Sequence, residues 1–206
     1  MRVVKPFKNV DAPRIRYLTD DEATRSMNAC LPDLRALVTA ALLTGCRYGE
    51  LASLRPVDVD LDAGVVTIRQ SKSGSPRSVV LTDEARVFFR QASLGKPRTD
   101  LLLHRADGTA WGESYQFRPL REACKGAGIT PAISFHILRH THGSRLAMAG
   151  APLHVIAHQL GHSGVKTTEK HYAHLSPSYV ADTIRTAFGN LGLATGSNIV
   201  SIRKAG

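Results

Sequence analysis

The hydrophobic period of this chain changes twice, and that change bounds what it can fold into. Up to about residue 54 apolar residues recur at helical spacing, from 57 to 81 the period shortens to two, and from Thr82 the helical spacing returns. The alternating stretch holds VDVDL (57–61) and GVVTIRQ (64–70) flanking Asp62-Ala63-Gly64, a hairpin signal, with RSVVL (77–81) as a third strand. SKSGSP, residues 71–76, reads as the turn between the last two strands. A sheet this small cannot bury both faces by itself, so helices must cover it. The expected fold is mainly α with a small antiparallel β-sheet set into it (α+β).

The helical parts carry their own punctuation. Thr19 and Glu22 stand at capping-box spacing, so a helix starts there and runs through DDEATRSMNAC. Leu34, Leu37, Val38 and Ala41 mark a second helix to about Leu43; Gly45 interrupts, and RYGELASL continues as a short third. After the sheet come TDEARVFFRQAS, ESYQFRPLREACKGAG, SFHILRHTHGSRLAMAG, PLHVIAHQLG, TTEKHYAH and PSYVADTIRTAFGNL. Residues 1–16 are basic with two prolines and read as an extended arm or linker. Residues 17–189 form one domain, and 190–206 read as a mobile tail.

Twenty-seven Lys and Arg against seventeen Asp and Glu give a net charge of +10. Such an excess attracts polyanions, nucleic acid first among them, although charge alone does not single it out. Cys30, Cys46 and Cys124 form neither a disulfide framework nor a CxxC pair, which fits reduced, buried thiols. There is no apolar h-region at the start, and no run approaches the roughly 18 apolar residues of a membrane span. The expectation is a soluble protein of the cytoplasm.

On the helix SFHILRHTHGSRLAMAG, Phe135, Leu138, Leu146 and Ala149 form the core stripe, and His142 lies on it as a core histidine. His136, Arg139, His140 and Gly143 share a neighbouring face that suits an anion, since an arginine fork beside a missing side chain lets a ligand approach. A solvated basic face fits the same four residues. In PLHVIAHQLG the apolar positions leave His154 and His158 on the polar side, with Gly161 as C-cap and His162 leaving the helix end. Histidines spaced by four suggest metal ligands, but no Cys or carboxylate joins them and HILRH lacks the glutamate of HExxH, so no metal site is expected. Arg47, between Gly45 and Gly49, can be held at a cleft with Glu50 orienting it, or can be an ordinary surface pair. Lys72 sits at the hairpin tip. Tyr172, in TTEKHYAHL, would ordinarily pack with its hydroxyl at the surface.

Taken together, these pieces resemble the tyrosine recombinase family, which includes phage integrases and bacterial chromosome-resolving recombinases. The likeness covers about Leu18 to Leu175. TGCRYGEL is similar to the family's first arginine box, SKSGSPRSVVL to the sheet turn bearing its lysine, and HILRH to its second box. LGH and TTEKHYAH complete the set. The resemblance implies catalytic roles for Arg47, Lys72, His136, Arg139, His162 and Tyr172. It implies strand breaking and rejoining on double-stranded DNA through a 3′-phosphotyrosine, without metal, ATP or other cofactor. Two arginines would clamp the phosphate, His162 would hydrogen-bond it, Lys72 would protonate the leaving oxygen and His136 would assist proton movement. The family also implies four protomers on DNA, with a monomer possible when free. Only about sixteen residues precede the first helix where the family usually carries a DNA-clamping domain, so the chain is either an excised fragment or a short form. A type IB topoisomerase shares the chemistry, but the LGH-to-tyrosine spacing favours a recombinase; a binding module without catalysis is the third reading.

Overall fold

The computed structural model describes residues 16–69 and 76–175. Its elements run α1 (Asp20–Ala29), α2 (Pro32–Thr44), α3 (Tyr48–Ala52), β1 (Val59–Asp60), β2 (Val65–Ile68), β3 (Arg77–Val80), α4 (Asp83–Ser93), α5 (Phe117–Gly126), α6 (Phe135–Met148), α7 (Leu153–Leu160) and α8 (Val165–Tyr172). The fold is therefore mainly helical, with one antiparallel sheet of order β1-β2-β3 among the described residues. Val66 pairs with Val79 at its centre, and both are fully buried.

Local chemistry sets the element starts. Thr19 Oγ1 accepts from the Glu22 N–H at 3.2 Å while the Glu22 carboxylate accepts from the Thr19 N–H at 3.1 Å, a complete capping box. Thr82 caps α4 through the Ala85 N–H. Pro32 opens α2 at a position where its missing N–H costs nothing. α2 is the central helix: Leu37, Val38, Ala40 and Ala41 have no exposed surface, and α6 packs along it. A second, smaller core joins α6, α7 and α8 through Ala147, Ile156, Leu160 and Tyr172.

Three boundaries differ from the pattern reading. β1 is only two residues long, because Pro56–Asp58 closes a 3-10 turn, with the Asp58 carboxylate accepting from the Arg55 N–H at 3.0 Å. α5 begins at Phe117 and not at Glu113: Ser114 adopts φ 68°, which breaks the helical path, and Pro119 then falls in the first turn, where proline is tolerated. α8 begins two residues early and passes into a 3-10 turn at Ala173–Leu175. The arm at 1–15, the SKSGS part of the sheet turn with Lys72, the helix expected at 177–191 and the tail all lie outside the described residues. Among the described residues no helix is long and apolar enough to cross a membrane.

Candidate active site

Two helices that end in glycine build the site. Gly45 closes α2 at φ 66° and Gly161 closes α7 at φ 65°, a backbone turn that side-chain-bearing residues rarely adopt. At Gly161 the turn is a Schellman motif: the Gly161 N–H returns to His158 O and the His162 N–H to Ala157 O. Helix C-termini leave carbonyls unsatisfied at the negative end of the helix dipole, so they attract cations. Arg139, on α6 and 3% exposed, donates to Gly45 O at 2.8 Å and also to Leu160 O. Arg47, just after α2, reaches Gly161 O at 3.4 Å. Burial and the neighbouring Arg47 lower the Arg139 pKa to about 10, still far enough above neutrality to keep it charged.

A buried carboxylate holds the second arginine. Glu50 accepts from Arg47 Nη1 at 3.0 Å and from the Arg47 main-chain N–H at 2.8 Å. It also accepts two bonds from Arg77 on β3, at 2.7 and 2.8 Å. Burial pushes the Glu50 carboxyl upward, but the hydrogen bonds from Arg77 and Arg47 outweigh it and keep the pKa below the ordinary value. Cys46, enclosed beside Arg47, has its thiol pushed up to about 11 by burial, which makes it a poor nucleophile. All three cysteines are free and buried.

The histidines gather around these arginines. His162 Nδ1 shares a 2.8 Å hydrogen bond with the buried Thr168 hydroxyl, which fixes the ring and leaves Nε2 to a ligand. Burial, then the charges of Arg139 and Arg47, lower its pKa to about 4. His136 stands at the start of α6, its ring 4.3 Å from that of His140, and partial desolvation, then the charge of Arg139, lowers its pKa too. His142 faces the other way, as its place on the core stripe required: Nδ1–H donates to Leu42 O at 2.9 Å.

Tyr172 is 1% exposed, so its hydroxyl is not at the surface where a tyrosine in a short helix would ordinarily leave it. Its ring lies against Gly143, where a Cβ would come within 2.6 Å of Cζ. Its hydroxyl hydrogen-bonds His140 Nδ1 at 2.8 Å, one residue beyond Arg139 on α6. Burial raises the phenol pKa to about 12, and the charge of Arg139 works against that rise.

Five of the six residues singled out from sequence are thus described. Arg47 and Arg139 converge on the end of α7, His162 follows that end directly, and His136 and Tyr172 meet at His140. Lys72 lies outside the described residues, although β2 and β3, which lead into and out of its turn, border this cluster through Arg77. Arg77 went unnoticed in the sequence. The signal was present: it lies two residues before Val79 and so shares that residue's buried face.

Residues 16–178 match the model of the phage integrase family. The chain is 30% identical over 184 residues to the tyrosine recombinase XerA of Saccharolobus solfataricus, covering 89% of this chain and 59% of that protein. It is 32% identical over 185 residues to the integrase of Salmonella phage P22, covering 84% of this chain and 47% of the relative. The chain therefore spans about half of the curated relatives it matches. The solved catalytic domain of bacteriophage HP1 integrase superposes with a TM-score of 0.66 at 28% identity, covering 87% of this chain and 98% of that one. On these grounds the chain belongs to the phage integrase family of tyrosine recombinases, and its fold is that of the family's catalytic domain.

Proposed function

We propose that this chain is the catalytic part of a site-specific recombinase or integrase acting on double-stranded DNA. The convergence of Arg47 and Arg139 on one helix end, beside His162 and one residue from the partner of the Tyr172 hydroxyl, carries the reading. The names of the relatives, tyrosine recombinase and integrase, support it.

In this reading Tyr172 Oη attacks the phosphorus of a DNA phosphodiester. The P–O5′ bond breaks, the phosphate stays on Tyr172 as a 3′-phosphotyrosine, and the 5′-oxygen leaves as a hydroxyl. A 5′-hydroxyl from another strand reverses the step, and because the bond's reactivity is stored on the enzyme no ATP is consumed. Arg47 and Arg139 hold the non-bridging oxygens, where their fixed charges offset the charge gathering in the transition state. His162, already oriented by Thr168, adds a hydrogen bond to the same phosphate. Lys72 gives the leaving oxygen its proton, and His136 helps move the phenolic proton. The attacking group is a phenol of this chain, so no activated water is required. Recombining two duplexes calls for four protomers on the DNA, with the free protein a monomer.

The direct test is Tyr172→Phe. On a nicked substrate that traps the adduct, the variant should form no covalent protein–DNA complex and bind DNA as the parent does. A persisting adduct would mean that another residue is the nucleophile.

A further inference from the structure

Arg77 is not one of the six residues given a catalytic role, yet it is bonded directly to the carboxylate behind them. It enters from β3 with both terminal nitrogens on Glu50, 2.7 and 2.8 Å away, and its side chain is 9% exposed. The same carboxylate holds the Arg47 guanidinium at 3.0 Å and its main-chain N–H at 2.8 Å. One planar fork therefore fixes the group that fixes Arg47. On its other side Arg77 lies against Gly161, whose carbonyl accepts from Arg47. A Cβ there would come within 2.5 Å of Arg77 Cδ and 2.8 Å of Cζ. Arg77 is thus a spacer between Glu50 and the end of α7, and it sets how far that end stands from Arg47. The strand itself is fastened to the same helix: Val80 N–H donates to Gln159 Oε1 at 3.0 Å, and Gln159 Nε2 donates to Val80 O at 2.9 Å.

A buried ion pair is an inefficient way to gain stability, because desolvating both charges consumes most of what their attraction returns. Arg77 Nε is also buried without a partner among the described residues, a further cost that an apolar side chain would avoid. What the fork does supply is geometry, since a bidentate pair fixes a guanidinium in both distance and plane.

We infer that Arg77 is a positioning residue for the cleavage step: through Glu50 it orients Arg47, and through Gly161 it sets the place of the α7 end and His162, without touching DNA. The inference rests on the phosphate-clamp reading of Arg47. A displacement of about 1 Å in such a group can cost on the order of a hundredfold in rate.

The experiment compares the whole chain with Arg77→Lys, Gly161→Ala, Arg47→Ala and the Arg47→Ala/Arg77→Lys double variant. Three quantities are read: single-turnover adduct formation at saturating DNA, DNA affinity, and thermal midpoint. Arg77→Lys keeps the charge but not the fork, and should slow adduct formation by about tenfold or more while DNA affinity stays within about twofold. Because it acts in part through Arg47, the double variant should be slower than Arg47→Ala by clearly less than the whole Arg77→Lys defect, whereas independent effects would multiply. Arg77→Lys cleaving at the parental rate, or defects that multiply in the double variant, would overturn the inference. If Arg77→Lys does not fold, Gly161→Ala decides, since it removes no charge and pushes Arg77 from its place; parental cleavage by that variant overturns the inference as well. Arg47→Ala cleaving at the parental rate would instead remove the clamp reading on which the rest stands.

Discussion

At the scale of single residues, Tyr172 serves packing and, in the proposed reaction, chemistry at once. Its ring fills a small core with Ile156 and Leu160, and the same burial lifts its pKa to about 12 from the ordinary 10.0. Two units correspond to about 3 kcal/mol against the phenolate, so the group that would attack is held unreactive in the protein alone. Its partner His140 carries the opposite signature. Burial, then His136, His171, Arg139 and His162, lower its pKa to about 4. The unfolded chain protonates this imidazole below about 6.5 while the folded chain does not. The unfolded state therefore binds more protons across that window, and stability must fall as pH drops from about 6.5 toward about 4, with no contribution from this group above it. The full shift is worth at most about 3 kcal/mol. Guanidinium unfolding at pH 7.5 and at pH 5 should show the loss, and His140→Gln should shrink the difference, leaving the part carried by the lowered His162 and His136. An unchanged slope in that variant would locate the sensitivity elsewhere.

At the scale of elements, the glycines that end α2 and α7 do more than stop helices: they aim carbonyls at the arginines. A paired substitution separates this from ordinary glycine effects. At Gly45 a Cβ would come within 2.6 Å of Leu160 Cδ2 and 2.8 Å of His142 Cδ2, on a backbone at φ 66°. Gly45→Ala should lose about 2 kcal/mol or more by thermal or chemical unfolding. At Gly49, inside α3, a Cβ would meet nothing within 4 Å, so Gly49→Ala should be neutral or gain up to about 1 kcal/mol. Gly45 was legible in the sequence as an interruption and Gly161 as a helix cap, and the Thr19–Glu22 box and the Asp62-Ala63-Gly64 hairpin were legible because each is settled by neighbours within a few residues. The start of α5 was not, since the left-handed turn at Ser114 leaves no mark in the hydrophobic periodicity. Arg77 was missed for a related reason. Strand alternation shows which face a residue takes, but the carboxylate waiting there is 27 positions away in the chain. His162 and Arg139 were found through motif likeness; that they meet at the end of α7 could not be read from spacing.

At the scale of the whole molecule, the proposed function together with the charge of +10 and the paired arginines Arg47 and Arg139 implies that DNA affinity would be dominated by phosphate contacts. The logarithm of affinity should fall linearly with the logarithm of salt concentration, and Arg47→Ala should reduce the slope by about one phosphate's worth. Titration of one DNA duplex at several salt concentrations checks both. A slope indifferent to Arg47 would place that side chain away from the backbone. The architecture also gives the sheet a protected margin. Among the described residues β3 is an edge strand, the kind of element that invites a foreign strand to pair with it and starts aggregation. Here the Gln159 amide already occupies the Val80 main chain, imitating a neighbouring strand one residue wide. An intruding segment would have to dislodge a side chain anchored on a helix before it could add a rung at Val80, so this end of the margin resists β-recruitment by other chains.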